Sequence, residues 1–334
     1  MRTKRVMFPE PGKVTFEDFD LDPAALPPHA ALVETEYSVL SAGTELACLA
    51  GTESWAKMPF SPGYGSVGTI CHVGETHEPY KLGDRVFTYG KHATVSGFGQ
   101  ITAPVPDGVP PKHAAVARMA MVAFTAVRVA HTELGDVAAV QGLGLVGNLA
   151  AQLLTLSGCT VIGIDISAKR LATARECGIA HTVDAGANDP VATVRELTDG
   201  AMCERVVEAT GVPSLAETAV GLAGRNGEVI LLGTPRGDYS GDTTGMLRAV
   251  HKRDTNVALR GAHEWIYPLR RDPKRLYKHS IERNLEIVFG LIKAGKLKIE
   301  PLISHVVAPT DCADVYAQLR ARNDDYFGVV FKWK

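Results

Sequence analysis

The sequence predicts an α/β protein that joins a β-rich domain to a doubly wound parallel sheet of six strands. Three observations carry that expectation. A glycine-rich turn, Gly142-Leu143-Gly144-Leu145-Val146-Gly147, stands between an apolar run, Val137 to Val140, and a helix-period segment, Asn148 to Leu156. Strand and helix patterns then alternate to about residue 262. Residues 1 to about 110 instead carry short apolar runs broken by Gly and Pro. Alternation of the first kind argues for helices on both faces of a parallel sheet, and punctuation of the second kind argues for turns between short strands.

In chain order, Ala31 to Val39 and Ser66 to Val73 read as strands, and Gly83-Asp84-Arg85-Val86-Phe87 as a tight turn feeding another. Pro111 opens a helical stretch to about Thr132. The run Val137 to Val140 reads as a buried parallel strand, and Thr160 to Ile164 as a second one that closes on Asp165. Ser167 is placed to cap a helix that runs to Cys177, with Gly178 as its stop. Arg205 to Ala209 and Val229 to Leu232 are further strands, followed by Thr210-Gly211 and Gly233-Thr234, and Asn256 to Leu259 is the sixth.

Beyond residue 262 the character changes. His263 to Pro268 is an aromatic loop containing Trp265 and Tyr267, and Leu269 to Lys278 is basic through Arg270, Arg271, Lys274, Arg275 and Lys278. Ser280 to Lys293 has amphipathic helical spacing. A strand at Leu302 to Val307, a helix from Asp311 to Arg320 and a strand at Phe327 to Phe331 end the pattern. One strand–helix–strand is too small to stand alone, so it is expected to complete the first domain. The expected division is 1-112 with 263-334 for the β-rich domain and 113-262 for the doubly wound one, with a cleft between them.

The glycine-rich turn assigns a ligand class. Gly142 allows the tight turn, Gly144 lets a pyrophosphate approach the backbone, and Gly147 lets helix and strand pack closely. The helix start offers free N–H groups and a positive dipole end to phosphate through Leu143, Leu145 and Val146. Asp165 ends the next strand, where a carboxylate accepts from both adenosine ribose hydroxyls. It would repel a 2′-phosphate, so NAD(H) is expected over NADP(H), a bias that Lys169 and Arg170 weaken without reversing. Ile166, Arg170, Thr210, Gly211, Gly233 and Thr234 complete the expected coenzyme contacts.

Composition bounds the rest. The 334 residues are 46% hydrophobic and 22% charged, which suits a soluble globular protein of about two domains. A net charge of −2 gives no reason to expect nucleic acid or an acidic membrane as partner. The start has no apolar signal core, and Cys48, Cys71, Cys159, Cys177, Cys203 and Cys312 form no C-x-x-C pair, so a reducing cytoplasm is expected.

The pieces Ser41-Ala42-Gly43-Thr44-Glu45, Pro62-Gly63-Tyr64-Gly65-Ser66-Val67-Gly68, Gly83-Asp84-Arg85-Val86, the glycine-rich stretch and Leu302-Ile303-Ser304-His305 together resemble the medium-chain dehydrogenase/reductase superfamily, the zinc-type alcohol dehydrogenase relatives. The resemblance covers nearly the whole chain. It implies a GroES-like catalytic domain, a Rossmann domain, hydride transfer in the cleft, and a homodimer or homotetramer. It also exposes departures. Where the family's catalytic zinc takes a Cys, a His and a later Cys or Glu, this chain has Ala42, Tyr64 and a position near Ala117 or Arg118, and the adjacent acid is Gly65. A tetrahedral zinc site needs three N, S or O ligands besides water, so no zinc is expected. The four-Cys lobe that carries structural zinc is missing as well.

Without the metal, side chains must handle the alkoxide charge that hydride transfer develops. By the resemblance, four map to the pocket: Thr44 at the family's hydroxyl position, Tyr64 in place of a ligand His, His92 where relatives place a pocket-lining aromatic, and Arg118 as a fixed charge. Each also has a structural reading: a turn hydroxyl for Thr44, a space-filler for Tyr64, a surface strand residue for His92, and a partner of a core acid for Arg118. His72, His77, His113 and His131 carry no spacing signal, and Glu45 is expected to support local structure. Three functions follow. The first is a zinc-independent, NAD(H)-dependent oxidoreductase that interconverts a secondary alcohol and a ketone, the substrate being a polyol, sugar or cyclitol derivative. The bacteriochlorophyllide hydroxyethyl dehydrogenase branch, similar in the Gly-Thr-Glu and Pro-Gly-Tyr pieces, would imply a large flat substrate instead. The second is a zinc-free enoyl or quinone reductase acting on an activated C=C bond. The third is a dinucleotide-binding protein without catalysis.

Overall fold

The computed structural model describes residues 1–28, 30–74, 79–274 and 276–334. Strands Arg2–Met7 (β1) and Thr15–Asp20 (β2) form an antiparallel pair. Strand Ala31–Val39 (β3) and helix Ala42–Ala50 (α1) precede strands Ser66–Val73 (β4), Arg85–Thr88 (β5), Val95–Gly97 (β6) and Thr102–Pro104 (β7). Helix Pro111–Val129 (α2) then leads into Val137–Gln141 (β8), Leu145–Leu156 (α3), Thr160–Asp165 (β9), Ala168–Glu176 (α4), His181–Asp184 (β10) and Pro190–Leu197 (α5). Cys203–Glu208 (β11), Leu215–Leu222 (α6), Ala223–Leu231 (β12), Thr244–His251 (α7) and Ala258–Gly261 (β13) close the alternation. Helix Ile281–Lys293 (α8), strand His305–Val307 (β14), helix Cys312–Arg320 (α9) and strand Val329–Lys332 (β15) follow. His77 and Arg275 lie outside the described residues.

Six strands pair in parallel in the order β10-β9-β8-β11-β12-β13. The order reverses between β8 and β11, which opens a crevice at the carboxyl ends of those strands. The period of two is visible in the core. Ala138 and Val140 of β8 pack on the side of α2 and α3, whereas Ala139 packs with Ala219 of α6. The second sheet runs β14-β15-β3-β4-β5-β7, with β6 also paired to β3. Val330 of β15 pairs with Val39 of β3, so the last strand joins the first domain's sheet directly.

Several boundaries differ from the sequence reading. Helix α2 stops at Val129 rather than Thr132, because Ala130 is already extended at ψ 137°. The sixth strand is Ala258–Gly261, shifted from Asn256 to Leu259, because Asn256 adopts a left-handed φ of 47° that strand pairing does not accept. The strand expected over Leu302 to Val307 shortens to His305–Val307, because residues 300–302 make a 3₁₀ turn. Helix α1 has no counterpart in the sequence reading. It is nine residues long and ends at Gly51 with φ 74°, which is too short for a 3.6-residue period to stand out. Packing sustains it, since Cys48 and Leu49 share a buried cluster with Tyr316, Phe8 and Phe331.

The turn between β8 and α3 is held by close approach. Gly142 has φ 92°, and its N–H donates to the Ile164 carbonyl at 2.8 Å. A Cβ on Gly147 would lie 1.8 Å from the Gly142 carbonyl oxygen, closer than any real contact. At Gly144 a Cβ would meet nothing within 4 Å, so the space over the helix start is open. Gly147→Ala should therefore push α3 off the turn, cost about 1–3 kcal/mol of stability and weaken NADH binding. A thermal melt and an NADH titration read both, and a variant that keeps native melting and affinity contradicts this packing account.

Candidate active site

The coenzyme end is organised by two buried acids. Asp165 closes β9 with 6% of its surface exposed, and its two oxygens accept from the N–H groups of Leu143 at 2.7 Å and Ser167 at 2.9 Å. Each carboxylate oxygen has a second lone pair, so the acid that holds the glycine-rich turn in place keeps accepting capacity to spare. Arg170 approaches the same carboxylate at 3.9 Å and Asp324 at 3.5 Å. Ile166 stands 75% exposed beside it, an apolar surface at the expected adenosine end. Ser167 caps α4 as the sequence implies, its hydroxyl accepting from the Arg170 N–H.

Glu208 does the same for the turn after β11, accepting from the N–H groups of Thr210 at 2.8 Å and Gly211 at 3.1 Å and from the Thr210 hydroxyl. Gly211 has φ 68°, and a Cβ on Gly233 would fall 2.3 Å from its nitrogen. The turns after β11 and β12 thus touch. The structure gathers Gly142 to Gly147, Asp165, Thr210, Gly211, Gly233 and Thr234 at the carboxyl ends of adjacent strands of the parallel sheet.

The chemistry-bearing end lies between α1, the segment before β4, and α2. Tyr64 donates its phenol O–H to the Ser41 hydroxyl. Burial pushes the Tyr64 phenol up, against the pull of the Arg118 charge and hydrogen bonding with Ser41 and Thr44. The Arg118 guanidinium lies over two rings, 4.7 Å from the Tyr64 centroid and 4.4 Å from that of Tyr89. It pairs through both terminal nitrogens with Glu264, at 3.0 and 2.7 Å. Arg118 and Glu264 side chains are 4% and 6% exposed, so the pair is buried and bidentate. Burial alone would lower the guanidinium, but Tyr89, Glu264 and Tyr64 more than offset it. Tyr89 completes the cluster by donating to Glu264 at 2.9 Å.

Gly65 makes this arrangement feasible. A Cβ there would lie 2.6 Å from the Arg118 Cβ and 2.7 Å from its Cγ. The space that a side chain at position 65 would take is thus filled by the arginine stem. The structural reading of Arg118 holds, since it pairs with a buried acid, and its guanidinium also lies over the Tyr64 ring. Thr44, half-buried on α1, accepts from Arg236 at a long 3.5 Å.

His92 is not in the pocket. It is fully buried, its Nδ1 lies 2.7 Å from the Ser38 hydroxyl, and its Nε2 sits 3.2 and 3.3 Å from the two Glu45 oxygens. Its ring meets Phe331 edge-on at 5.1 Å. Both ring nitrogens are committed to protein partners, so neither the pocket role nor a surface role describes it. Glu45 also accepts from the Ser41 N–H at 3.0 Å and from the Tyr316 hydroxyl. Burial raises the Glu45 carboxyl, but His92, Tyr316 and Ser41 together bring it below its ordinary value. Glu45 is thus structural, as its sequence context implied.

The other expectations resolve into pairs. Arg270 and Arg271 bond to Glu282 and Glu286 on α8, His113 to Glu300, and His131 to Glu228. Trp265 is 46% exposed, with its ring edge-on to Tyr89 at 6.2 Å. Sequence reasoning missed Ser41, Tyr89, Glu264 and Arg236. Glu264 carried a faint signal, an acid inside an aromatic loop after the sixth strand. Arg236 carried none.

Comparison with known proteins agrees with this architecture. Residues 146–266 match the zinc-binding dehydrogenase family. The chain is 28% identical over 203 residues to an (R,R)-butanediol dehydrogenase of Bacillus subtilis, a match spanning 52% of this chain and 58% of that protein. It is 26% identical over 264 residues to a D-guloside 3-dehydrogenase of Shigella flexneri, spanning 78% of this chain and 73% of that one. The fold superposes on a quinone oxidoreductase from Pseudomonas syringae pv. Tomato DC3000 with TM-score 0.81, 23% identity and 99% of each chain covered. The chain thus spans little more than half the length of the first of these relatives.

The Glu45 cluster has a pH signature. Its carboxyl is depressed in the folded state, so its contribution is complete above the unfolded value and is lost as pH falls below 4.5. Glu45→Gln should be less stable near pH 7 and lose less stability than the native chain on acidification. Parallel acid limbs in denaturant melts from pH 6 to pH 3 would contradict this.

Proposed function

We propose that the chain is an oxidoreductase of the zinc-type medium-chain dehydrogenase/reductase superfamily, and that it interconverts a secondary alcohol and a ketone with NAD(H) and without zinc. One observation carries the reading. The Arg118 guanidinium lies over the Tyr64 ring, and the Tyr64 hydroxyl is hydrogen-bonded with the hydroxyls of Ser41 and Thr44. No group of three or more His, Cys, Asp or Glu suited to a metal ion occurs among the described residues. The residues matched by resemblance to the family's zinc positions, Ala42, Tyr64 and either Ala117 or Arg118, do not make a donor set that fits a cation.

The coenzyme does fit. The open space above Gly144, the start of α3, and the free lone pairs of Asp165 suit a pyrophosphate and a ribose diol. Thr210, Gly211, Gly233 and Thr234 would border its nicotinamide half. When bound, the dinucleotide supplies or accepts the hydride. The side chains move the proton. As negative charge develops on a substrate oxygen, the Tyr64 phenol, held protonated by burial, donates to it. Arg118 over the ring face stabilises the phenolate that results, and Ser41 and Thr44 relay a proton from solvent to it, each hydroxyl accepting one proton as it gives one up. In the oxidative direction each transfer reverses.

The named activities of the butanediol and guloside relatives support an alcohol carbon as the reacting centre. The quinone oxidoreductase likeness rests on fold alone, so a C=C reductase stays the second reading. A cytoplasmic location and a homodimer or homotetramer remain part of the proposal; no helix among the described residues is long and apolar enough to cross a membrane.

Turnover of secondary alcohols should persist in chelator. Tyr64→Phe should lower kcat about 10²- to 10⁴-fold, the range for a general acid–base, with NADH affinity retained. Loss of activity on chelation with restoration by zinc would refute the proposal. Asp165→Ala should weaken NADH binding roughly 10- to 100-fold and relax the bias against NADPH. An unchanged NADH-to-NADPH ratio would place the discriminating group elsewhere.

A further inference from the structure

On the cleft side of Thr44, a flat apolar face, an acceptor and a donor fork meet. Trp55, in the segment after α1, is 58% exposed, with its ring edge-on to Phe60 at 5.8 Å. Its indole N–H donates to Glu53 Oε2 at 2.9 Å. Glu53 Oε1 accepts from Arg236 Nε at 3.0 Å, and Arg236 Nη2 reaches the Thr44 hydroxyl at 3.5 Å. Arg236 arrives from the loop after β12, so the cluster joins the parallel-sheet part of the chain to the segment that begins with α1. Its Nη1 makes no hydrogen bond among the described residues and lies 3.5 Å from where a Cβ on the exposed Gly43 would stand. Glu53 and Arg236 side chains are 20% and 30% exposed.

These groups select a ligand chemistry. Glu53 and Arg236 neutralise each other, so an anionic substrate gains little and meets a carboxylate. An alkyl chain laid over them would strip water from both and return no hydrogen bonds. A ring bearing adjacent hydroxyls satisfies both: one hydroxyl donates to the carboxylate, the next accepts from the guanidinium, and the C–H face of the ring packs on the indole. We propose that Trp55, Glu53 and Arg236 form a saccharide subsite that grips a neutral pyranose by a vicinal diol and presents a neighbouring ring carbinol to Thr44 and Tyr64. The inference rests on the alcohol–ketone reading of the Tyr64 site and names its substrate class.

Calorimetric titration of a panel of methyl hexopyranosides (gluco, galacto, manno and gulo) into the NADH-saturated protein tests it. At least one should bind, and Trp55→Ala and Glu53→Gln should each weaken that binding about 10- to 100-fold, while Trp55→Ala keeps native NADH affinity as the check on folding. Arg236→Lys should also weaken it, because an ammonium offers no fork. Binding of no member of the panel, or equal binding by the variants, overturns the subsite. Tighter binding of glucuronate than of methyl glucoside overturns it too, in favour of an anion clamp at Arg236. Turnover of simple aliphatic ketones by the native protein reports separately on Tyr64: ketone turnover without pyranoside binding removes the subsite alone, and absence of NADH binding removes the parent reading.

Discussion

The buried pair of Arg118 and Glu264 is the contact on which the active site is built. A charge on α2 is taken out of water, and a carboxylate from the loop after β13 meets it through two parallel hydrogen bonds. Removing one partner of such a pair typically costs 3–5 kcal/mol, because the survivor stays buried and uncompensated. The pair also dictates its neighbours. Position 65 must be glycine to admit the arginine stem, Tyr64 and Tyr89 stack on the cation, and Tyr89 supplies the acid's third bond. The cluster is thus a buried cation with a fixed counter-ion, lined by two aromatic rings.

The coenzyme end follows a different logic. Asp165 and Glu208 spend part of their accepting capacity on the backbone turns beside them. A turn rich in glycine has high freedom when unfolded, and a carboxylate bonded to its N–H groups fixes it before any ligand arrives. The rigidity of both turns thus resides in two buried side chains.

Legibility from sequence tracks the range of the interaction. Strands β3 and β4 were readable to the residue, and the turn from Gly142 to Gly147 was readable with its chemistry, because local pattern determines them. Ser167 and Gly178 were readable as helix punctuation for the same reason. Helix α1 was not, since nine residues beginning Ala-Gly-Thr carry little propensity and rely on Tyr316 and Phe331 from the far end of the chain. His92 was misplaced because its partners, Ser38 and Glu45, lie on other elements and no local spacing announces them. Glu264 and Arg236 act only across the tertiary structure. A single sequence shows a charge at each position but not the residue that answers it.

The order of strands in the antiparallel-rich sheet bears on how the molecule is made. Strand β3 has β4 on one edge and β15 on the other, yet almost the whole chain lies between β3 and β15. During synthesis the six parallel strands emerge complete while the first sheet still shows an open edge. The last strand seals that edge, and Trp333 then donates to Ser38, the hydroxyl that also holds His92. The ribosome thus releases a finished parallel sheet before a finished antiparallel-rich one, and contacts of such sequence separation are the slow ones to form.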